Sequence, residues 1–164
     1  MSDTTTKSVP AINFDLLGLM FVSGFFATIA FDLWGQVIAP LIDMARLSPH
    51  GLARSLLGSL GLPNNNFMGY MVHFYIVGLI GYPVGWLFVF RPIWNAVTGG
   101  GLPWIIPAAI YGFGLWVFAI GGITWIAGLP FFLNFTGITY SALVGHVLYG
   151  IIMVLVMEMM AKRA

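Results

Sequence analysis

The chain has no cysteine, and charge is almost as scarce, with six Lys or Arg and five Asp or Glu among 164 residues. Without thiols there is no disulfide framework, no thiolate nucleophile and no cysteine-ligated zinc or iron–sulfur cluster. A formal net charge of +1 supplies no basic surface for nucleic acid, which is held by clustered Lys and Arg that neutralise phosphates. No nucleophile with a neighbouring base and no paired-carboxylate acid/base set can be assembled from the residues present. The glycine runs "VTGGG" and "AIGGI" lack the strand, helix and lysine context of a phosphate loop. The chain is therefore expected to be non-catalytic unless a bound cofactor supplies chemistry.

What remains is apolar. Hydrophobic residues make up 60% and aromatics 16% of the chain, more than a soluble domain of this length can wrap. A hydrocarbon core of about 30 Å needs roughly 20 apolar residues of helix. Residues 16–41, 67–90, 102–129 and 138–160 meet that requirement. The expected fold is thus an all-α membrane protein, a four-transmembrane-helix bundle forming one transmembrane domain over 1–164, with a polar tail over 1–13. The first run is too long for a signal peptide and no A-x-A pattern follows it, so it is expected to stay in the mature chain. Pro40 should close the first span and Pro83 kink the second, while "RPIWNAVTGGGLP" and "GLPFFLNFTG" read as turn-rich connections.

Between the first two spans, Ser48 can cap a helix starting at Pro49. Leu52, Leu56 and Leu60 share one side, with Ala53 and Leu57 beside them, while His50, Arg54 and Ser55 fall elsewhere. This predicts a short interfacial helix over 49–60, lying flat on the bilayer. Counting Lys and Arg in the short loops gives Lys7, Arg91, Lys162 and Arg163 on one side against Arg46 and Arg54 on the other. The balance predicts cytoplasmic termini. Trp94 and Trp104 near one surface and Trp125 near the other suit interfacial belts.

Within the first span stands "ATIAFDLWGQVIAPL", which puts Asp32 and Gln36 inside an apolar run. With Thr28 they form a polar stripe on one helix face. Counting from the span midpoints places Asp32 roughly 5 Å, His73 about 8 Å and His146 about 5 Å toward the same surface. Ionisable groups at one depth are expected to face inward and pair. One reading is a structural clasp of Thr28, Asp32, Gln36, His73 and His146. Another takes His73 and His146 as cofactor ligands, for haem b or a (bacterio)chlorophyll. Gly69, Ala142 and Gly150, one turn from these histidines, would leave room for a flat macrocycle, and Ala142-x-x-x-His146 has the spacing of light-harvesting pigment sites. A metal held by Asp32, His73 and His146 is a third reading, although a second carboxylate is missing.

Other polar features have simpler explanations. Glu158 and Lys162 can pair at i, i+4. Asn134-Phe135-Thr136 fits a glycosylation acceptor, and Met153, Met157, Met159 and Met160 suit packing more than a soft metal. Gly78, Gly81 and Gly85 of the second span, with Gly121 and Gly122 of the third, are expected to permit close helix packing, and those not used within the bundle to face partner helices.

The ordered marks "ATIAFDLWG", "VHFYIVGL" and "GHVLYGI" resemble bacterial inner-membrane families catalogued as domains of unknown function. Those families carry a D-x-W first helix followed by helices with H-Y/F and H-x-x-x-G. The correspondence falls on Asp32, Trp34, His73, Tyr75, His146 and Gly150. Their basic, glycine-rich loop is matched only loosely by "ARLSPHGLARSLLG". The resemblance implies a four-helix bundle and adds no activity. The function expected is that of a non-catalytic accessory or structural subunit of a bacterial energy-transducing or transport complex in the inner membrane, beside larger membrane proteins or in self-association, surrounded by lipid. The alternatives are a haem- or pigment-binding carrier and a small proton-coupled transporter or channel.

Overall fold

The structure, a computed structural model, describes residues 10–162. The first nine residues of the expected polar tail, Lys7 and Arg163 lie outside them. The described chain is helical, with four helices long and apolar enough to cross a membrane: α1 Phe14–Leu41, α3 Asn66–Thr98, α4 Ile105–Ile126 and α5 Gly137–Ala161. The short α2, Pro49–Ser59, links α1 to α3. This is the four-helix membrane bundle expected from hydropathy.

Asparagines start two of the spans. The Asn13 side chain accepts from the Leu16 N–H at 2.8 Å and that of Asn65 from the Met68 N–H at 3.0 Å, each satisfying an orphan donor of a first helical turn. Ser48 flanks α2 without capping it; Pro49 stands at the first helical position and the serine makes no side-chain cap bond.

α1 ends at Leu41, just past Pro40 as expected, and the prolines of α3 do not break it. Ahead of each, the helix widens into a π-helical stretch: Trp34–Ile38 before Pro40, Met71–Gly81 before Pro83, and Gly85–Phe90 before Pro92. The residue immediately preceding each proline donates five positions back, Ala39 to Trp34, Tyr82 to Val77 and Arg91 to Trp86. A proline removes one N–H and crowds the carbonyl four residues earlier; a wider turn draws that carbonyl away. For this reason α3 runs through the expected connection "RPIWNAVTGGGLP" as far as Thr98, ending where Gly99 takes a left-handed φ of 73°. A fourth stretch, Val117–Ile123, has no proline. There the Thr124 hydroxyl bonds back to the Ile120 carbonyl at 2.5 Å and to that of Gly121 at 3.3 Å, the kind of back-bonding that bends a helix.

Around the bundle the order is α3, α1, α5, α4. Gly112 of α4 lies against the His146 carbonyl and Val147 of α5, and Gly150 of α5 against Ala108 and Gly112. Gly24 of α1 meets the backbone of Gly78 and Leu79 in α3. Backbones approach this closely only where a Cβ is missing. Trp34 and Trp116 add side-chain ties, donating from Nε1 to the Ser141 and Thr139 carbonyls of α5, each at 2.9 Å.

Between α3 and α4 the bundle is held apart. Tyr111 reaches across, its hydroxyl donating to the Tyr82 carbonyl at 2.5 Å and its ring packing on Trp86 and Phe90. At one end of this seam α2 packs on the start of α3 and the end of α4. The expected interfacial helix is therefore docked on the bundle. Ala53 and Leu57 are its buried positions, and Leu60, expected on the same side, is exposed. Arg54 fastens it, donating from Nε to the Asn64 carbonyl at 2.7 Å and from a terminal nitrogen to Asn66 Oδ1 at 2.8 Å.

Beside α2, the connection Phe131–Phe135 is a left-handed turn, with φ of 47°, 49°, 55° and 53° at Phe132, Leu133, Asn134 and Phe135. Phe132 anchors it by stacking on Phe135 and packing on Trp116, and its ring lies over Gly121. Thr139 Oγ1 donates to the Phe132 carbonyl at 2.6 Å. At the far end of α5 the expected Glu158–Lys162 ion pair is not formed; the Lys162 backbone N–H donates to the Glu158 carbonyl instead. Met153 and Met157 are core residues, whereas Met159 is exposed.

Candidate functional site

The polar level of the bundle is built around Phe31. Its neighbour Asp32 turns toward α3, where His73 Nε2 stands 3.0 Å from Asp32 Oδ1. Two residues further along the same helix, Trp34 faces α5. The D-x-W spacing thus sends two polar groups to two different neighbours, as side chains about 200° apart on a helix must.

His146 does not join this pair. Its Nδ1 stands 2.7 Å from the carbonyl of Ala142, one turn earlier in α5. The Phe31 ring packs against both imidazoles, its centroid 4.9 Å from that of His146, edge-on, and 6.0 Å from that of His73. The five-residue clasp expected from the sequence closes only between Asp32 and His73. Thr28 Oγ1 donates within α1 to the Gly24 carbonyl at 2.7 Å, and packs onto Gly78. Gln36 makes no side-chain hydrogen bond among the described residues.

Acceptor identity fixes the tautomers. A carbonyl cannot donate, so His146 Nδ1 carries hydrogen and Nε2 of the neutral ring carries the lone pair. A carboxylate likewise takes the hydrogen of His73 Nε2, leaving the lone pair of the neutral ring on Nδ1. Neither second nitrogen has a partner among the described residues, and neither is a sealed, unsatisfied atom. Both rings border open space.

That space is a cavity of about 550 Å³ in the upper part of the seam, beneath α2. Leu52 and Leu56 of α2 roof it, Val77, Tyr82, Phe118 and Ile120 form its sides, and His73, His146, Thr28 and Tyr149 lie along its inner wall. The Tyr149 hydroxyl is engaged, donating to the Gly78 carbonyl at 2.5 Å. The Tyr82 hydroxyl has no partner among the described residues. Ser48, Ser55 and the exposed Arg46 border the cavity near α2. Its size and mostly apolar wall with a few convergent polar groups are those of a small-molecule site.

A second hollow, about 690 Å³, runs along the outer face of the same seam. It is lined by Gly81, Gly85, Val89, Ile93, Gly114 and other apolar residues, and it shares Tyr82 and Phe118 with the cavity. Gly81 and Gly114 have no neighbouring helix; Gly85 holds the Tyr111 hydroxyl, and Gly122 faces open space. Among the glycines expected at helix contacts, Gly78 serves one and Gly121 admits an aromatic ring. Gly24, Gly112 and Gly145, which also carry close contacts, show no feature in the sequence that separates them from Gly114 or Gly122.

Two cofactor expectations change on this geometry. The three residues Asp32, His73 and His146 do not converge as a metal-binding set; Asp32 bonds His73, and His146 bonds its own helix. As axial ligands of one haem, His73 and His146 would need the macrocycle between them, where Phe31 packs against both rings. Room beside Gly69 is taken by the His50 carbonyl and the Arg54 stem, and room beside Gly150 by Ala108 and Gly112. Ala142 alone of those small residues borders the cavity.

Outside the spans, His50 of α2 stacks on Tyr70 at 4.3 Å between centroids, with its Nδ1 buried and unpartnered. Burial holds its pKa below 6.5, assisted by His73 and Arg54 and opposed by Asp32. Compared with protein-family models, curated proteins and solved structures, the chain matches none.

Proposed function

We propose that this chain is a non-catalytic accessory subunit of a bacterial inner-membrane complex, and that its bundle holds one lipophilic molecule in the cavity beneath α2. The observation that carries the reading is a cavity of about 550 Å³ lined by two imidazoles, each held by a hydrogen bond at one nitrogen and without a partner at the other among the described residues. A hollow of this size, mostly apolar with a few convergent polar groups, has the shape of a ligand site. The accessory role rests on the chain's proportions: four spans joined by short connections leave little outside the bilayer for work in water. With both ends of the chain placed in the cytoplasm by the charge count, α2 and the cavity lie toward the periplasmic surface.

Native mass spectrometry from lipid nanodiscs tests both parts. One small molecule retained per chain is expected, lost when Ala142→Phe fills the cavity, together with larger membrane subunits in fixed ratio. A chain that carries no small molecule in nanodiscs or in mild detergent would remove the ligand reading. One that runs alone in both would remove the accessory reading. A cytoplasm-only reporter fused after Ala164 is expected to be active; activity of a periplasm-only reporter there would invert the orientation.

A second reading has one observation in its favour. A metal-bound histidine almost always donates its other N–H to a carbonyl or carboxylate, as His146 Nδ1 does to Ala142. On this reading His146 Nε2 alone ligates the metal of a haem or (bacterio)chlorophyll. A visible band lost in His146→Leu and retained in His73→Leu is the outcome it requires.

A further inference from the structure

The geometry points to an isoprenoid quinol as the molecule held in the bundle, its dihydroxy ring in the cavity that His73 and His146 line and its tail in the outer hollow of the α3–α4 seam. The inference rests on the lipophilic-ligand reading and narrows it. Three features select this class.

The first is the sense of the hydrogen bonds. With His146 Nδ1 and His73 Nε2 committed to the Ala142 carbonyl and the Asp32 carboxylate, the second nitrogen of each cavity-lining ring is left, in the neutral imidazole, as an acceptor. Two acceptors call for a ligand with two donors. A hydroquinone has two phenolic hydroxyls at opposite ends of a ring, whereas the oxidised quinone has two carbonyls and no hydrogen to give. The free Tyr82 hydroxyl can donate to either form and does not discriminate between them.

The second is the company of the imidazoles. Phe31 lies edge-on to His146, and Tyr82 lies edge-on to Tyr149 at 5.2 Å between centroids. A flat aromatic head meets ring edges and faces here, a preference that hydroxylated glycerolipids do not satisfy.

The third is the outer hollow. It adjoins the cavity at Tyr82 and Phe118, opens where Gly81 and Gly114 have no neighbour, and is otherwise apolar. Phe118 is 57% exposed, so its side chain can swing without disturbing the core. A quinol diffusing in the bilayer would pass its head by Phe118 and leave its prenyl chain along the glycines. Haem b has no such tail, and with haem b in the cavity the hollow would have no occupant.

Binding of a ubiquinol analogue with two isoprene units to the full chain in nanodiscs tests the inference, with Trp94 at the hollow as fluorescent reporter. One saturable site is expected, with the oxidised analogue and a tailless hydroquinone each bound at least about tenfold more weakly, the worth of one lost hydrogen bond or a few buried methylenes. His73→Leu and His146→Leu should each weaken quinol binding by about tenfold. Gly114→Leu, which fills the hollow, should abolish the advantage of the tail and leave the tailless compound unaffected. Should the histidine variants fail to fold, ¹⁵N spectra of the unaltered protein decide: His146 Nε2 must shift when quinol is added. Equal affinity for both redox forms, an unmoved His146 Nε2, or dioleoylglycerol binding as tightly as the quinol would overturn the proposal. If native mass spectrometry finds a different lipophile in the cavity, the quinol falls while the ligand reading stands; an empty cavity in every preparation removes both.

Discussion

His73 Nε2 donates to Asp32 Oδ1 across 3.0 Å between α3 and α1, and both side chains are mostly withdrawn from solvent, at 14% and 22% exposure. A partly buried charge-assisted bond of this kind matters less for what it adds than for what remains when one member is removed. Asp32→Ala leaves an imidazole N–H without an acceptor, and His73→Ala leaves a carboxylate without a donor. The carboxylate is the costlier orphan, because a charge is harder than a dipole to hold in a membrane interior. Unfolding by SDS titration in mixed micelles should show a loss of about 1–3 kcal/mol for His73→Ala, and less for Asp32→Asn, whose side-chain carbonyl still accepts. No loss in His73→Ala would mean that the bond contributes nothing to stability.

The docking of α2 should depend on pH through His50. Its pKa is held below the unfolded value of 6.5, chiefly by burial. Between the lowered folded value and 6.5, the undocked state binds more protons than the docked one, so stability rises with pH in that window and falls on acidification. Amide exchange over residues 49–59 should therefore speed up as pH drops from 7 toward 5 relative to the intrinsic rate, while the amides of α5 keep their protection. In His50→Phe, which can still stack on Tyr70, the pH dependence should vanish. Its persistence there would assign the effect to another group.

How far this could be read beforehand varied with the range of the interaction concerned. Span positions follow from local hydropathy, which is why the four helices fall close to the expected runs. Proline was harder, because a residue that ends a helix in water can be absorbed by a widened turn that keeps the helix continuous, as at Pro83 and Pro92. Asp32 had two candidate partners at equal depth, and depth alone could not choose between them. His146 resolves the choice by bonding the carbonyl four residues before it, an option open to any helical histidine and invisible in spacing. The cavity had no sequence signal at all, since it arises from the failure of α3 and α4 to close, bridged by Tyr111.

The left-handed turn Phe131–Phe135 stores strain that substitution can expose. For a residue with a Cβ, this conformation costs roughly 1–2 kcal/mol, least for Asn. Four such residues in succession persist because Phe132 is wedged between Trp116, Phe135 and Gly121. Removing the wedge while keeping the strain, as in Phe132→Ala, should destabilise the protein by about 3–5 kcal/mol and loosen the adjoining roof of the cavity. Exposed Phe135 carries less packing, so Phe135→Asn should cost far less than Phe132→Ala. Comparable losses in the two variants, measured by the same SDS titration, would contradict this division of roles.

Glycine substitutions should divide by sign, and the division tests the packing order directly. At Gly112, an added Cβ would run into the His146 carbonyl and Val147 of α5; at Gly24, it would lie 2.6 Å from the Gly78 carbonyl and 2.8 Å from Leu79 Cα. These are backbone atoms, so relief requires whole helices to separate. Gly112→Ala and Gly24→Ala should each lower stability by about 1–3 kcal/mol, and Gly112→Ala should also shift the His146 resonances, because its clash is with that residue's carbonyl. At Gly114 nothing lies within 4 Å, and alanine has the better helix propensity. Gly114→Ala should therefore raise stability by about 0.5–1 kcal/mol. The three glycines look alike in composition and hydropathy, and Gly112 and Gly114 are only two positions apart on the same helix. If Gly112→Ala does not lower stability, the α4–α5 interface does not run through Gly112, and if Gly114→Ala lowers it, Gly114 does face a neighbour.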